Sequence, residues 1–300
     1  MKKLLILVVL TATAIPVFSQ DDLSAILDTL VPREKMAATF KSTRIINLQT
    51  NETVHRRTLD FRVAHRFGAI GAKSGGSIHN LYGFDNSADI RIAFEYGITD
   101  ALMVGVSRTK HNEDYEGLVK YRLLQQTNDG HIPLAITLFG NMVYSGRVNP
   151  GYTYDDPSTS TEHMRRLSYT LQAIIARKFS SRFSFELLPT MVHRNFVENV
   201  EDDNNIFALG AGGRIKVTRS MAIIADYIYN FSELRKPGND YGYYNALGVG
   251  LEFETGGHVF SIMFTNAEYI LEHEFVADTR SSWSNGGFRF SFNISRNFKV

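Results

Sequence analysis

The sequence predicts a closed antiparallel transmembrane β-barrel of about twelve strands, with long extracellular loops and short periplasmic turns. Three observations carry this expectation. The chain is a succession of segments in which apolar and polar residues alternate with a period of two, each about ten residues long, the length a tilted strand needs to cross a bilayer. Large charges sit at the middle of the polar faces, while the apolar faces are dense in Tyr and Phe near the strand ends, as interfacial girdles are. The connections between segments alternate between tight and long.

The amino terminus sets the compartment. Lys2 and Lys3 precede the apolar run LLILVVLTATAI and the small-residue pattern VFS, which together make a secretory signal peptide over residues 1–19, cleaved near Ser19. The chain has 0 Cys, so it holds no disulfide and no thiolate metal ligand, and no lipid-modified cysteine can follow the leader. Beyond the leader no apolar run reaches the length of a spanning helix. A net charge of +1 gives no electrostatic reason to expect nucleic acid as a partner.

Strands follow in order from TLDFRVAHRFG. In SADIRIAFEY, Ile90, Ile92, Phe94 and Tyr96 share one face and Asp89, Arg91, Ala93 and Glu95 the other. The turn GITD leads into ALMVGVSRT, making an antiparallel hairpin. DYEGLVKYRLL, PLAITLFGNMVY, RRLSYTLQAIIARK, FSFELLPTMVHR, IFALGAGGRIKV, MAIIADYIYNF, YYNALGVGLEF and HVFSIMFTN continue the pattern. The final FRFSFNISRNFKV closes it, with Phe288, Phe290, Phe292 and Ile294 opposite Arg289, Ser291, Asn293 and Ser295. An even count of about twelve suits a closed single-chain barrel spanning residues 57–300, whose last strand must pair with its first so that no edge is left in lipid. Phe298, near the carboxyl terminus, is the expected signal for barrel-assembly machinery, although Lys299 and Val300 extend past it.

The short connections are GITD, the stretch around TNDGH, the SS of FSSRF, TRS and ETGG; the long ones include residues 69–86, 145–163 and AEYILEHEFVADTRSS. This alternation places both ends of the barrel on the periplasmic side. Residues 20–56 form a separate N-terminal segment, periplasmic or lumenal, with Leu23, Ile26, Leu27 and Leu30 at helical spacing and an extended piece after Pro32.

The expected lumen-facing charges are Arg62, Arg66, Asp89, Arg91, Glu95, Lys120, Arg122, Arg166, Glu186, Arg194, Asp226, Glu252 and Arg289, with Asp60 and Glu116 beside them. Their mixed signs suggest interlocked ion pairs filling a narrow interior more than an ion-selective pore. No catalytic residue, metal ligand set or cofactor motif is assigned. The acidic ENVEDDNN lacks the spacing and glycine of a calcium loop, EHE around His273 reads as surface chemistry, and the GAGG glycines at 210 and 213 sit in a strand, as positions of close packing. The nine histidines form no local nucleophile-base arrangement, and His65 is expected on the lipid side near a rim.

The stretches HRFG, LYGFDNSADIRIAFEYGITD, VGVSRT, LVKYRLLQQ, GGHVFSIMFTN and FRFSFNISRNF resemble an outer-membrane β-barrel family of unknown function found in Bacteroidetes. The resemblance spans nearly all of the mature chain. It implies fold and location and transfers no catalytic residue. Together these readings describe an integral outer-membrane protein whose partners are outer-membrane lipid and the assembly machinery, with a narrow channel or small-solute transporter as the leading function. An outer-membrane lipid hydrolase and a soluble exported β-barrel binding protein are the alternatives.

Overall fold

The computed structural model describes residues 34–147, 160–197, 201–236 and 241–300; the leader and the 20–33 segment lie outside them. Twelve strands form one closed antiparallel barrel: β1 (Thr58–Ala69), β2 (Ser87–Gly97), β3 (Leu102–Thr109), β4 (Tyr115–Leu124), β5 (Ala135–Tyr144), β6 (Leu167–Lys178), β7 (Phe183–Arg194), β8 (Asn205–Lys216), β9 (Met221–Asn230), β10 (Leu247–Thr255), β11 (His258–Thr265) and β12 (Arg289–Lys299). Each strand pairs with its sequence neighbours, and β12 pairs with β1 from Thr58↔Lys299 to Ala69↔Arg289. The closure leaves no unpaired edge, which is what a sheet in hydrocarbon requires.

Alternation turns the usual core inside out. Ile92, Phe94, Val106, Leu171 and Phe207 are exposed on the outer surface, whereas Arg62, Arg91 and Lys120 are among the largest fully buried side chains. A water-soluble protein could not carry an apolar outer belt of this extent, and a lipid-embedded barrel requires it. His65 belongs to the outer face, stacked on Phe292 with ring centroids 5.4 Å apart.

Local chemistry explains the irregular points. Gly256 and Gly257, with φ of 51° and 89°, make the two-residue turn between β10 and β11 that needs left-handed backbone at both positions. Pro189 lies on the outer face of β7 beside a gap in the β6–β7 register between Gln172↔Thr190 and Ile175↔Leu187, as expected where a strand lacks a backbone N–H. The tight connections gather at one rim together with both barrel ends, and Val300 N donates to Arg57 O there. The long connections gather at the other rim.

Two of the non-strand segments do not lie over the rims. Residues 39–54 enter from the short-turn rim, fold back on themselves and leave by the same rim. Their core is a β-hairpin: Thr50 N donates to Thr43 O, Ile45 N donates to Leu48 O, and Arg44 faces Gln49. From the other side, the β11–β12 connection carries the short helix α2 (Glu272–Phe275; α1 is Ser160–Arg165) into the interior, where all four α2 residues are buried. This corrects two expectations. AEYILEHEFVADTRSS is not an outward loop, and EHE around His273 is not surface chemistry. Phe275, Val276 and Ala277 supply apolar side chains that share one buried cluster with inward-facing Ile174, Leu188, Val192 and Ile206, so the loop buries more favourably inside than over the rim.

Candidate functional site

The lumen is the candidate site, and its geometry begins with small residues in the wall. A Cβ at Gly248 would stand 2.6 Å from Ile46 Cγ2, one at Gly212 2.7 Å from Ile45 Cδ1, and one at Gly210 3.0 Å from Leu48 Cδ1. These inward-facing glycines of β8 and β10 leave a recess the size of the hairpin tip. The tip is then fixed by one carboxylate. Asp226 on β9 accepts from Asn47 N at 2.6 Å, Leu48 N at 2.9 Å, Ile46 N at 3.3 Å and Asn47 Nδ2 at 2.7 Å. Arg66 Nη2 donates to Asn47 Oδ1 at 2.9 Å. A tight turn exposes backbone N–H groups on one side, and a buried carboxylate accepting several of them is the arrangement that satisfies both.

Lower in the barrel, Lys120 donates to the carbonyls of Thr43, Thr50 and Glu52 at 2.9, 3.0 and 3.3 Å. Glu95 accepts from Thr43 Oγ1 at 2.7 Å, and Arg62 reaches Ser42 Oγ, Thr43 Oγ1 and Asp60, each at 2.8 Å. Arg122 donates to Thr53 Oγ1 at 2.7 Å and faces Glu52, while Glu252 accepts from Arg214 Nε at 2.7 Å. Glu186 is fully buried opposite the hairpin.

The two inserts meet at Glu272. Arg44 of the hairpin pairs with its carboxylate and donates to Ile270 O at 3.1 Å; Gln49 Nε2 donates to Glu272 Oε1 at 2.9 Å and Asn141 Nδ2 to Oε2 at 3.1 Å. Asn141 also bonds Glu116, which receives Arg91 at 2.7 Å, so wall, hairpin and loop form one network. Asp89 accepts from Ile270 N and His111 N at 3.2 and 3.0 Å, and Arg289 donates to Ser281 Oγ at 3.0 Å beside Glu268.

Two expected charges lie away from this centre, at the long-loop rim. Arg166 sits over the Tyr144 ring, 5.8 Å from its centroid, and Arg194 donates to Asp202 Oδ2 at 2.6 Å. Asp202 also takes Arg235 Nη2 at 2.6 Å, and Arg235 Nε donates to Ala277 O at 2.6 Å, tying the rim to the inserted loop. Burial alone would raise the Asp202 carboxyl, but Arg235 and Arg194 outweigh it and hold it below the usual carboxylate range. Thus ENVEDDNN is a clamp at Asp202, with Glu198 outside the described residues. Ion pairs do not fill the interior alone. Arg44, Asn47, Gln49 and Glu272 belong to the site without having been singled out in the sequence, because only the inward folding of two connections makes them lumenal; Arg235 joins it at the rim through Ala277.

The sequence matches a family model described as "Membrane bound beta barrel domain" over residues 40–298. No curated relative matches it. Among solved structures the chain is similar to the NanC porin at 10% identity, with 81% of this chain and 100% of that chain covered and a TM-score of 0.46. It is similar to the KdgM porin at 8%, covering 80% and 99%, TM-score 0.46. The Acinetobacter baumannii outer membrane protein Omp33 aligns at 10%, covering 83% and 100%, TM-score 0.42.

Proposed function

The chain belongs to the membrane-bound β-barrel domain family (DUF5777), and from that premise we propose that it is a gated outer-membrane channel for small hydrophilic solutes, held shut by the 39–54 hairpin and the β11–β12 insert. The observation that carries the reading is the Arg44–Glu272–Gln49 junction, where a hairpin from one mouth and a loop from the other meet through polar contacts. A permanently filled interior is served as well or better by apolar packing, since buried ion pairs are often neutral or unfavourable relative to it. Here the wall of β1, β2, β4, β9, β10 and β12 is ionic, and Arg66 Nε and Nη1 and Arg91 Nη1 have no hydrogen-bond partner. Such a surface suits water once the inserts withdraw.

The wall carries both signs, so the open path favours polar solutes with little charge selectivity. The role is non-catalytic. Membrane lipid meets the outer belt, and Phe298, on the outer face beneath Arg296, serves the assembly machinery.

The test is solute uptake into proteoliposomes and conductance in planar bilayers. Deleting 39–54 together with replacing 267–280 by a short linker is expected to produce steady conductance where the native chain is mostly closed. A Cys pair at Ile46 and Gly248 is expected to lock the closed form until reduced: Ile46 Cγ2 lies 2.6 Å from the Gly248 Cβ position, so with one further bond of about 1.5 Å the two Cβ atoms are at most about 4.1 Å apart, below the upper limit for a disulfide. A folded double-deletion barrel that passes neither ions nor solute refutes the proposal.

A further inference from the structure

A second cluster stands apart from the junction, where the inserted loop touches the β3–β4 connection. Asp114, His273 and Glu274 are buried and each offers one ligand atom, all within 4.8 Å of one another. His273 Nε2 is 3.3 Å from Asp114 Oδ2, and His111 Nε2 is 3.5 Å from Glu274 Oε1, with Asn112 Nδ2 donating to that same oxygen at 3.2 Å. Asp114 is fully buried, yet neither of its oxygens accepts a hydrogen bond; Glu274 Oε2 and His273 Nδ1 are likewise unpartnered. No Lys or Arg pairs with either carboxylate among the described residues. Two buried carboxylates side by side without a cation are unfavourable.

We propose that Asp114, His273 and Glu274, with His111 as the fourth donor, bind a divalent first-row transition ion of the Zn²⁺ type and so bolt the inserted β11–β12 loop to the barrel wall. Imidazole and carboxylate donors select this class; Ca²⁺ would require six or more oxygens, which the cluster does not offer. Donors on a tetrahedral ion with bonds of about 2.0–2.1 Å stand about 3.3 Å apart; His273 Nε2 and Asp114 Oδ2 already stand at that distance, and the Glu274 and His111 side chains must turn inward to complete the shell. The ligands come from two connections, 111–114 and 273–274, which makes the ion a cross-link. The site holds whether or not the lumen conducts.

The full chain, folded in detergent and stripped with a chelator, is titrated with Co²⁺ and Zn²⁺. One ion per chain is expected, with visible Co²⁺ absorption bands of a tetrahedral nitrogen-oxygen site that Zn²⁺ abolishes, and a melting temperature that climbs with Zn²⁺ concentration. His273→Ala and Asp114→Asn should each weaken binding on the order of 100-fold, while His131→Ala at the other rim should not change it. Absence of stoichiometric binding by the native chain overturns the proposal without recourse to any variant, as does undiminished affinity in folded His273→Ala.

Discussion

Replacing Asp226 with Ala removes the acceptor that holds the hairpin tip. Four hydrogen bonds, from Ile46 N, Asn47 N, Leu48 N and Asn47 Nδ2, are lost at once. Bonds to a charged group contribute about 1.5–3 kcal/mol each, but four on one carboxylate are not additive, and water entering beside the smaller side chain recovers part of the loss. Counting the equivalent of two bonds gives about 3–6 kcal/mol against docking, roughly a 10²- to 10⁴-fold shift toward the withdrawn hairpin. With 0 Cys in the chain, a single Leu48→Cys reporter is free of background, and Leu48 is 0% exposed when docked. Maleimide labelling of that reporter in folded, membrane-inserted protein should therefore accelerate by at least about two orders of magnitude when Asp226→Ala is added, because modification follows the withdrawn population. A rate that stays within about threefold of the reporter alone, less than about 1 kcal/mol, refutes the assignment of Asp226 as the anchor.

Three further outcomes follow from the same geometry. Ile92→Arg places a charge on the outer belt and should cost about 2–4 kcal/mol if the position lies at mid-bilayer, measured by denaturant unfolding from vesicles, whereas a polar exchange at lumenal Ser291 should cost little. Gly248→Val fills the recess under Ile46 and should destabilise hairpin docking by about 1–3 kcal/mol, read by the same labelling assay, with the barrel's own unfolding midpoint unchanged. The Asp202 carboxyl is depressed in the folded chain, so its stabilisation is present above the ordinary Asp value near 4 and is lost as pH falls through the lower folded value. Proteolysis of the 195–204 connection should therefore increase in that acid window, and Asp202→Asn should remove the dependence.

The barrel was legible because its signal is repeated twelve times and each strand reports on the same physical demand, grease outward and polarity inward. Arg62, Arg91 and Lys120 announced the inner face because such groups at mid-strand have few alternatives. The inserts were illegible for the opposite reason. RIINLQ and ILEHEF each occur once and satisfy no period; a tight turn rich in Ile and Leu reads equally as a strand fragment or as a linker. What makes Asn47 or Glu272 important is contact with residues some 180 and 228 positions away in the chain, and single-sequence periodicity carries no information about those. The nearest hint lay in the glycines at 210, 212 and 248, which mark thin places in a wall without saying what presses against them.

Because the 39–54 segment goes in and comes out through one mouth, it is a bight of rope, not a threaded end. It can be hauled free by tension on the chain upstream of it without cutting a single rung between β1 and β12. The stopper and the vessel thus have independent fates: drawing out this bight leaves every stave hooped, and leaves the β11–β12 insert as a second stopper in the bore.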